Sequence, residues 1–64
     1  MESSKFIVLT GGTGAKIAIR AKDIVALEAT DNTFYNTDVE VLKPDSKLYT
    51  YYVKQTVDEI LDRL

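Results

Sequence analysis

The chain reads as an α+β fold: a small antiparallel five-stranded β-meander, an open sheet or partial barrel, with one C-terminal α-helix packed on it. Three observations predict this. Five short runs rich in β-branched and aromatic residues are separated by turn chemistry, a helix-start signal stands at Thr56–Glu59, and an apolar stripe of helical spacing follows that signal. Sixty-four residues allow one domain spanning 1–64, with residues 1–4 expected to be disordered. A chain of this length buries only about 60% of its unfolded surface, so its stability is marginal.

The first run, Phe6-Ile7-Val8-Leu9-Thr10, stops at Gly11-Gly12-Thr13-Gly14, and Lys16-Ile17-Ala18-Ile19-Arg20 then alternates with Ile17 and Ile19 on one face. The pair reads as a hairpin. Ala21-Lys22-Asp23 is a polar corner before a third strand, Ile24 to Thr30, on which strict alternation places Ile24, Ala26 and Glu28 opposite Val25, Leu27 and Ala29. A helix over Ala21–Ala29 is the competing reading, because Ala, Leu, Glu and Lys favour helix. A single turn at Ala21–Asp23 accounts for those residues equally well, so a strand is preferred.

Asp31-Asn32 is turn chemistry, and Thr33-Phe34-Tyr35-Asn36 either opens the fourth strand or forms a loop that presents two aromatics. Beyond it Thr37, Val39 and Val41 alternate with Asp38, Glu40 and Leu42. Lys43-Pro44-Asp45-Ser46-Lys47 marks a turn with Pro44 in its first central position, and Leu48 to Val53 forms the fifth strand. Thr56-Val57-Asp58-Glu59 fits a capping box, after which Val57, Ile60, Leu61 and Leu64 share one side of a short helix. A helix this short is unstable alone. It is therefore expected to dock on the sheet through those four apolar side chains.

Composition narrows the chemistry. The chain has neither Cys nor His, which removes thiolate zinc sites, disulfides and the commonest general base. No metal, cofactor or catalytic group is expected, and the reading is non-enzymatic. The absence of stapling cysteines points to the cytoplasm, and no stretch resembles a secretion signal or membrane span, so no membrane insertion is expected. Eight basic against ten acidic residues give a net charge of -2, which provides no general pull toward nucleic acid. Lys16, Arg20, Lys22, Lys43, Lys47 and Lys54 are scattered and read as solubilising charge.

Two motifs look sharper than they are. Phe6 to Gly14 is similar to the first strand and glycine turn of a short-chain dehydrogenase, but Ile17 stands where the third glycine belongs, and Lys16–Arg20 alternates like a strand instead of opening a helix. A doubly wound sheet also needs far more chain. The acidic pairs Asp38/Glu40 and Asp58/Asp62 read as solvated faces. The aromatics carry more information. Tyr49 and Tyr51 lie on one face of the fifth strand and Tyr52 on the other, and one helix covers one face only. Phe34, Tyr35, Tyr49 and Tyr51 are accordingly the candidate interaction surface, because tyrosine is enriched where proteins meet. The expected partner is a protein of unknown identity. A homo-oligomer is also expected, since small scaffolds have little stability to spare and an open sheet leaves edges free.

The frame of Phe6-Ile7-Val8-Leu9-Thr10, the glycine turn, Ile17, Ile19, Ile24, Leu27-Glu28 and Tyr52-Val53-Lys54-Gln55-Thr56-Val57-Asp58-Glu59-Ile60 resembles the small FlbD/SwrD-type proteins associated with flagella and swarming, and similar short chains of phage and mobile elements. The resemblance implies a small accessory or regulatory protein, bacterial or phage in origin, and supplies no site residues. A second resemblance points to nucleic acid. Ile24 to Asn32 with the later Tyr-Val-Lys-x-Thr-Val-x-Glu-Ile segment is similar to the N-terminal half of LytTR-type DNA-binding domains, and the strand ending in Leu-Thr is similar to carbon-storage-regulator-like RNA binders. A nucleic-acid-binding regulator is thus the alternative, disfavoured by charge.

Overall fold

The computed structural model of the protein describes residues 5–64. The expectation of disorder at residues 1–4 lies outside them. Five antiparallel strands and one helix form an open α+β fold: β1 (Phe6–Thr10), β2 (Lys16–Arg20), β3 (Ile24–Ala29), β4 (Thr37–Leu42), β5 (Leu48–Val53) and α1 (Val57–Arg63). The strands divide into two sheets, β1-β2 and β3-β4-β5, where a single meander was expected. A short seam joins the two. Gly11 bridges Val53, the Gly12 amide donates to the Tyr52 carbonyl, and the Lys54 amide donates to the Thr10 carbonyl.

The glycine turn is a hairpin loop. Thr10 pairs with Lys16, the Gly11 amide donates to the Ala15 carbonyl, and Gly14 adopts a φ of 97°, which an L side chain rarely tolerates. The polar corner Ala21–Asp23 is a single 3-10 turn leading directly into β3, so the strand reading holds and the long helix does not form. β3 departs from strict alternation. The register slips between Ile24 and Ala26, and this bulge leaves Val25 exposed and lets both Ile24 and Leu27 pack against the core, although alternation places them on opposite faces. Thr33–Asn36 is a loop, with the Phe34 amide donating to Asn32 Oδ1. At the β4–β5 turn the Ser46 amide donates to the Lys43 carbonyl, so Pro44 takes the first central position as expected, and Ser46 closes the loop at a φ of 68°.

The core lies between the sheets. Ile7, Leu9 and Ile19 from the hairpin meet Val39, Val41 and Val53 from the three-stranded sheet, and Ile60 of α1 closes the cluster. β4 behaves as its pattern requires, with Thr37, Val39 and Val41 buried between more exposed neighbours. The capping box is present: Thr56 Oγ1 accepts from the Glu59 amide and Glu59 Oε1 accepts from the Thr56 amide. The apolar stripe behaves differently from expectation. Ile60 is fully buried, but Leu61 is 54% exposed and Leu64 46%, because the seven-residue helix meets the sheets with little more than one turn.

Polar bonds hold this segment as much as apolar contact does. Thr10 donates its amide to Gln55 Oε1, and Gln55 Nε2 donates back to Thr10 Oγ1. The buried Thr37 hydroxyl donates to the Gln55 carbonyl, and the Arg63 guanidinium donates to the Val8 carbonyl. The C-terminal segment therefore covers the outer edge of β1, supplying partners to backbone groups that no strand pairs there. Among the described residues no helix is long and apolar enough to cross a membrane.

Candidate functional site

An open groove of about 580 Å³ lies where the β1–β2 turn, the loop before β4 and the outer edge of β5 converge. Gly11, Gly12, Ala15 and Ile17 form one wall, and Phe34 and Tyr35 stand at one end. Tyr49 to Tyr52 form the other wall. All four aromatics singled out from the sequence, Phe34, Tyr35, Tyr49 and Tyr51, line this one groove, although two come from the loop and two from β5.

The glycine turn lies against the aromatic loop. A Cβ added to Gly12 would lie 3.6 Å from Tyr35 Cδ1 and 3.7 Å from the Phe34 carbonyl oxygen, ordinary packing distances that place the turn directly against the aromatic loop. A Cβ on Gly11 would crowd Ile17 Cδ1 at 3.1 Å. The loop is tied down in turn, since the Asn36 amide donates to the Val53 carbonyl and Asn36 Nδ2 donates to the Lys54 carbonyl.

Two ring pairs organise the groove. Tyr49 and Tyr51 meet edge to face with centroids 4.6 Å apart, while Tyr35 and Tyr52 lie tilted at 5.0 Å. Tyr51 is half-buried against the core, whereas Tyr49, Tyr52 and Phe34 are 52%, 49% and 70% exposed. Lys43 Nζ donates to the Tyr51 hydroxyl at 3.0 Å and sits 5.3 Å from the Tyr49 ring centroid. That hydrogen bond is the main reason the Lys43 ammonium holds its proton above the usual lysine range. The Tyr35 phenol is raised from its ordinary value, first by burial and then by the charges of Asp38 and Tyr52.

The sheet face beyond Tyr52 is acidic. Glu28 stands directly across from Asp38, with Glu40 two residues farther along β4, and Asp38 in turn faces Tyr52 across the β4–β5 ladder. One oxygen of Asp38 is buried with no hydrogen-bond partner among the described residues. These carboxylates do not converge on a metal-sized cluster among the described residues. Arg20 pairs with Asp23 at 3.7 Å and lies over the Phe6 ring, and both line a smaller depression with Lys43 on the other side of Tyr51 from the groove.

Beyond the four candidate aromatics the groove is also lined by Tyr52, Ile17 and the glycine turn. Alternation places Tyr52 on the opposite face of β5 from Tyr49 and Tyr51, and the groove wraps around the strand edge and uses both faces. Ile17 and the glycine turn were read as hairpin structure alone, and nothing in a single sequence marks a turn as the wall of a site built from segments 20 to 40 residues away. Comparison of the chain with protein-family models, curated proteins and solved structures finds no match.

Proposed function

We propose that this chain is a small non-enzymatic interaction module, with a regulatory or assembly role, that works by protein–protein contact through the tyrosine groove. One observation carries the reading: Phe34, Tyr35, Tyr49 and Tyr51, drawn from two separate segments, line a single open groove in which Phe34 and Tyr49 remain more than half exposed. Rigid aromatic side chains give large contact area at low entropic cost, and a hydrophobic centre with a polar rim is the usual anatomy of a protein contact. An accessory role of the kind implied by the FlbD/SwrD resemblance belongs to the same proposal.

Exposed tyrosines on a sheet also suit base stacking, which is the specific feature favouring a nucleic-acid reading. The neighbouring charge opposes it. Glu28, Asp38 and Glu40 share the sheet face of Tyr52, where they would repel phosphates. The test is capture of proteins from the native host by the wild-type chain and by a Tyr35→Ala/Tyr52→Ala double variant, alongside titration with labelled DNA and RNA at low salt. Specific capture lost in the variant supports the proposal, and tight nucleic-acid binding that collapses as salt rises would replace it with the alternative.

A further inference from the structure

The strand edges of this fold are not equally protected. The outer edge of β1 is covered by Gln55 and Arg63, and β2 carries charge at both ends in Lys16 and Arg20. β3 is interrupted by its bulge and bears Glu28. Each of these is a recognised way of preventing a sheet from recruiting another strand. β5 has none of them, since Leu48-Tyr49-Thr50-Tyr51-Tyr52-Val53 contains no charge, proline or bulge.

The direction of its backbone groups follows from the bonds at both ends. The Lys47 carbonyl accepts from the Lys43 amide and the Val53 carbonyl from the Asn36 amide, so residues 47, 49, 51 and 53 face β4, whereas the Tyr52 carbonyl faces outward to Gly12. Leu48 and Thr50 therefore point both their amide and carbonyl outward. Among the described residues, no backbone group pairs with them. The free stretch runs from the β4–β5 turn at Lys47 to Tyr51, where the glycine turn closes in, and its midpoint is Tyr49.

That midpoint decides what fits. An antiparallel copy of the same strand, related by a two-fold axis at Tyr49, sets Leu48 of each chain opposite Thr50 of the other, and these are the residues with outward backbone groups. Each such pair exchanges two backbone hydrogen bonds. The two Tyr49 residues become a directly opposed, non-hydrogen-bonded pair, the closer kind of cross-strand neighbour and one suited to aromatic contact. No charge is paired with its like at residues 48 to 50, and each chain turns away toward its own β4 beyond Lys47.

Resting on the reading that the groove is a protein-contact surface, we propose that its occupant is the β5 edge of a second copy of this chain, giving a two-fold dimer with a continuous six-stranded sheet centred on Tyr49. The experiment is mass measurement by light scattering on gel filtration across a concentration series, for the wild type and two variants. Thr50→Pro removes only an outward amide and blocks the edge, leaving the β4 ladder bonds in place. Tyr49→Glu puts two carboxylates face to face across the axis while each keeps Lys43 nearby. Circular dichroism identifies any variant that fails to fold, and the other then decides. The expected result is a wild type at twice the 7.2 kDa chain mass and folded variants at that mass itself. A wild type that stays monomeric throughout, or folded variants that still dimerise, overturns the dimer. If the wild type is monomeric yet loses capture of a host protein in the Tyr35→Ala/Tyr52→Ala variant, self-pairing fails while the groove reading stands.

Discussion

Gln55 and Thr10 clasp each other twice. The Thr10 amide donates to Gln55 Oε1 at 2.8 Å, and Gln55 Nε2 returns a bond to Thr10 Oγ1 at 3.2 Å. The glutamine side chain thus stands in for a neighbouring strand at the end of β1. Gln55→Ala leaves a part-buried amide without that partner, and the expected loss is about 1 to 3 kcal/mol. Urea denaturation checks it, and hydrogen exchange at Thr10 should accelerate. A loss below about 0.5 kcal/mol would mean water replaces the clasp at no cost.

The helix buries one side chain. Ile60 is fully buried, so Ile60→Ala should cost on the order of 2 to 5 kcal/mol and threaten folding of so small a chain. Leu61→Ala removes a side chain that is mostly in water, and a change within about 1 kcal/mol is expected. Thermal melts of the two variants should separate widely. Equal losses would show that Leu61 is buried in solution.

Two turn positions carry left-handed backbone and predict opposite signs. Ser46 holds a φ of 68° with a side chain attached, so Ser46→Gly should stabilise by about 1 kcal/mol. Gly14 holds a φ of 97° in open space, where an added Cβ meets nothing within 4 Å among the described residues. Gly14→Ala should therefore destabilise by about 1 kcal/mol through backbone strain alone. Matched denaturation curves test both, and a destabilised Ser46→Gly variant would contradict the assigned turn.

The capping box sets a pH dependence. Hydrogen bonds from the Thr56 backbone, and then its hydroxyl, hold the Glu59 carboxyl below its ordinary range, with Arg63 adding a smaller effect. A depressed folded-state pKa contributes stability that is present above the unfolded value and is lost as pH falls through the folded one. Helix content should thus fall with acidification below the ordinary glutamate range. Glu59→Gln keeps a capping side chain but cannot titrate, so its acid profile should flatten in that window. An unchanged profile would place the acid sensitivity on another carboxylate.

Most of the architecture was legible because it rests on local signals. β-branched runs, the Pro44 turn and the Thr56–Glu59 box each act within a few residues, and each appears where its pattern places it. The bulge at Val25 was not legible, since it depends on how β3 must shift to bring both Ile24 and Leu27 onto the core. The exposure of Leu61 and Leu64 was missed for a related reason: helical spacing shows which side chains share a face, but not how much opposing surface exists. For the candidate site, Phe34, Tyr35, Tyr49 and Tyr51 were identifiable by residue type. Their assembly into one groove depends on Gly12 lying against Tyr35, a contact between distant segments.

The seam between the two sheets has a consequence for how the chain comes into being. Both hairpins involve near neighbours and can close as soon as each is synthesised, but Thr10 waits for a partner 45 residues later. Closing so long a loop costs entropy before any contact rewards it. On the ribosome, the nascent N-terminal ribbon must therefore remain half-finished, its border open to chaperones or to neighbouring chains, until Gln55 has emerged.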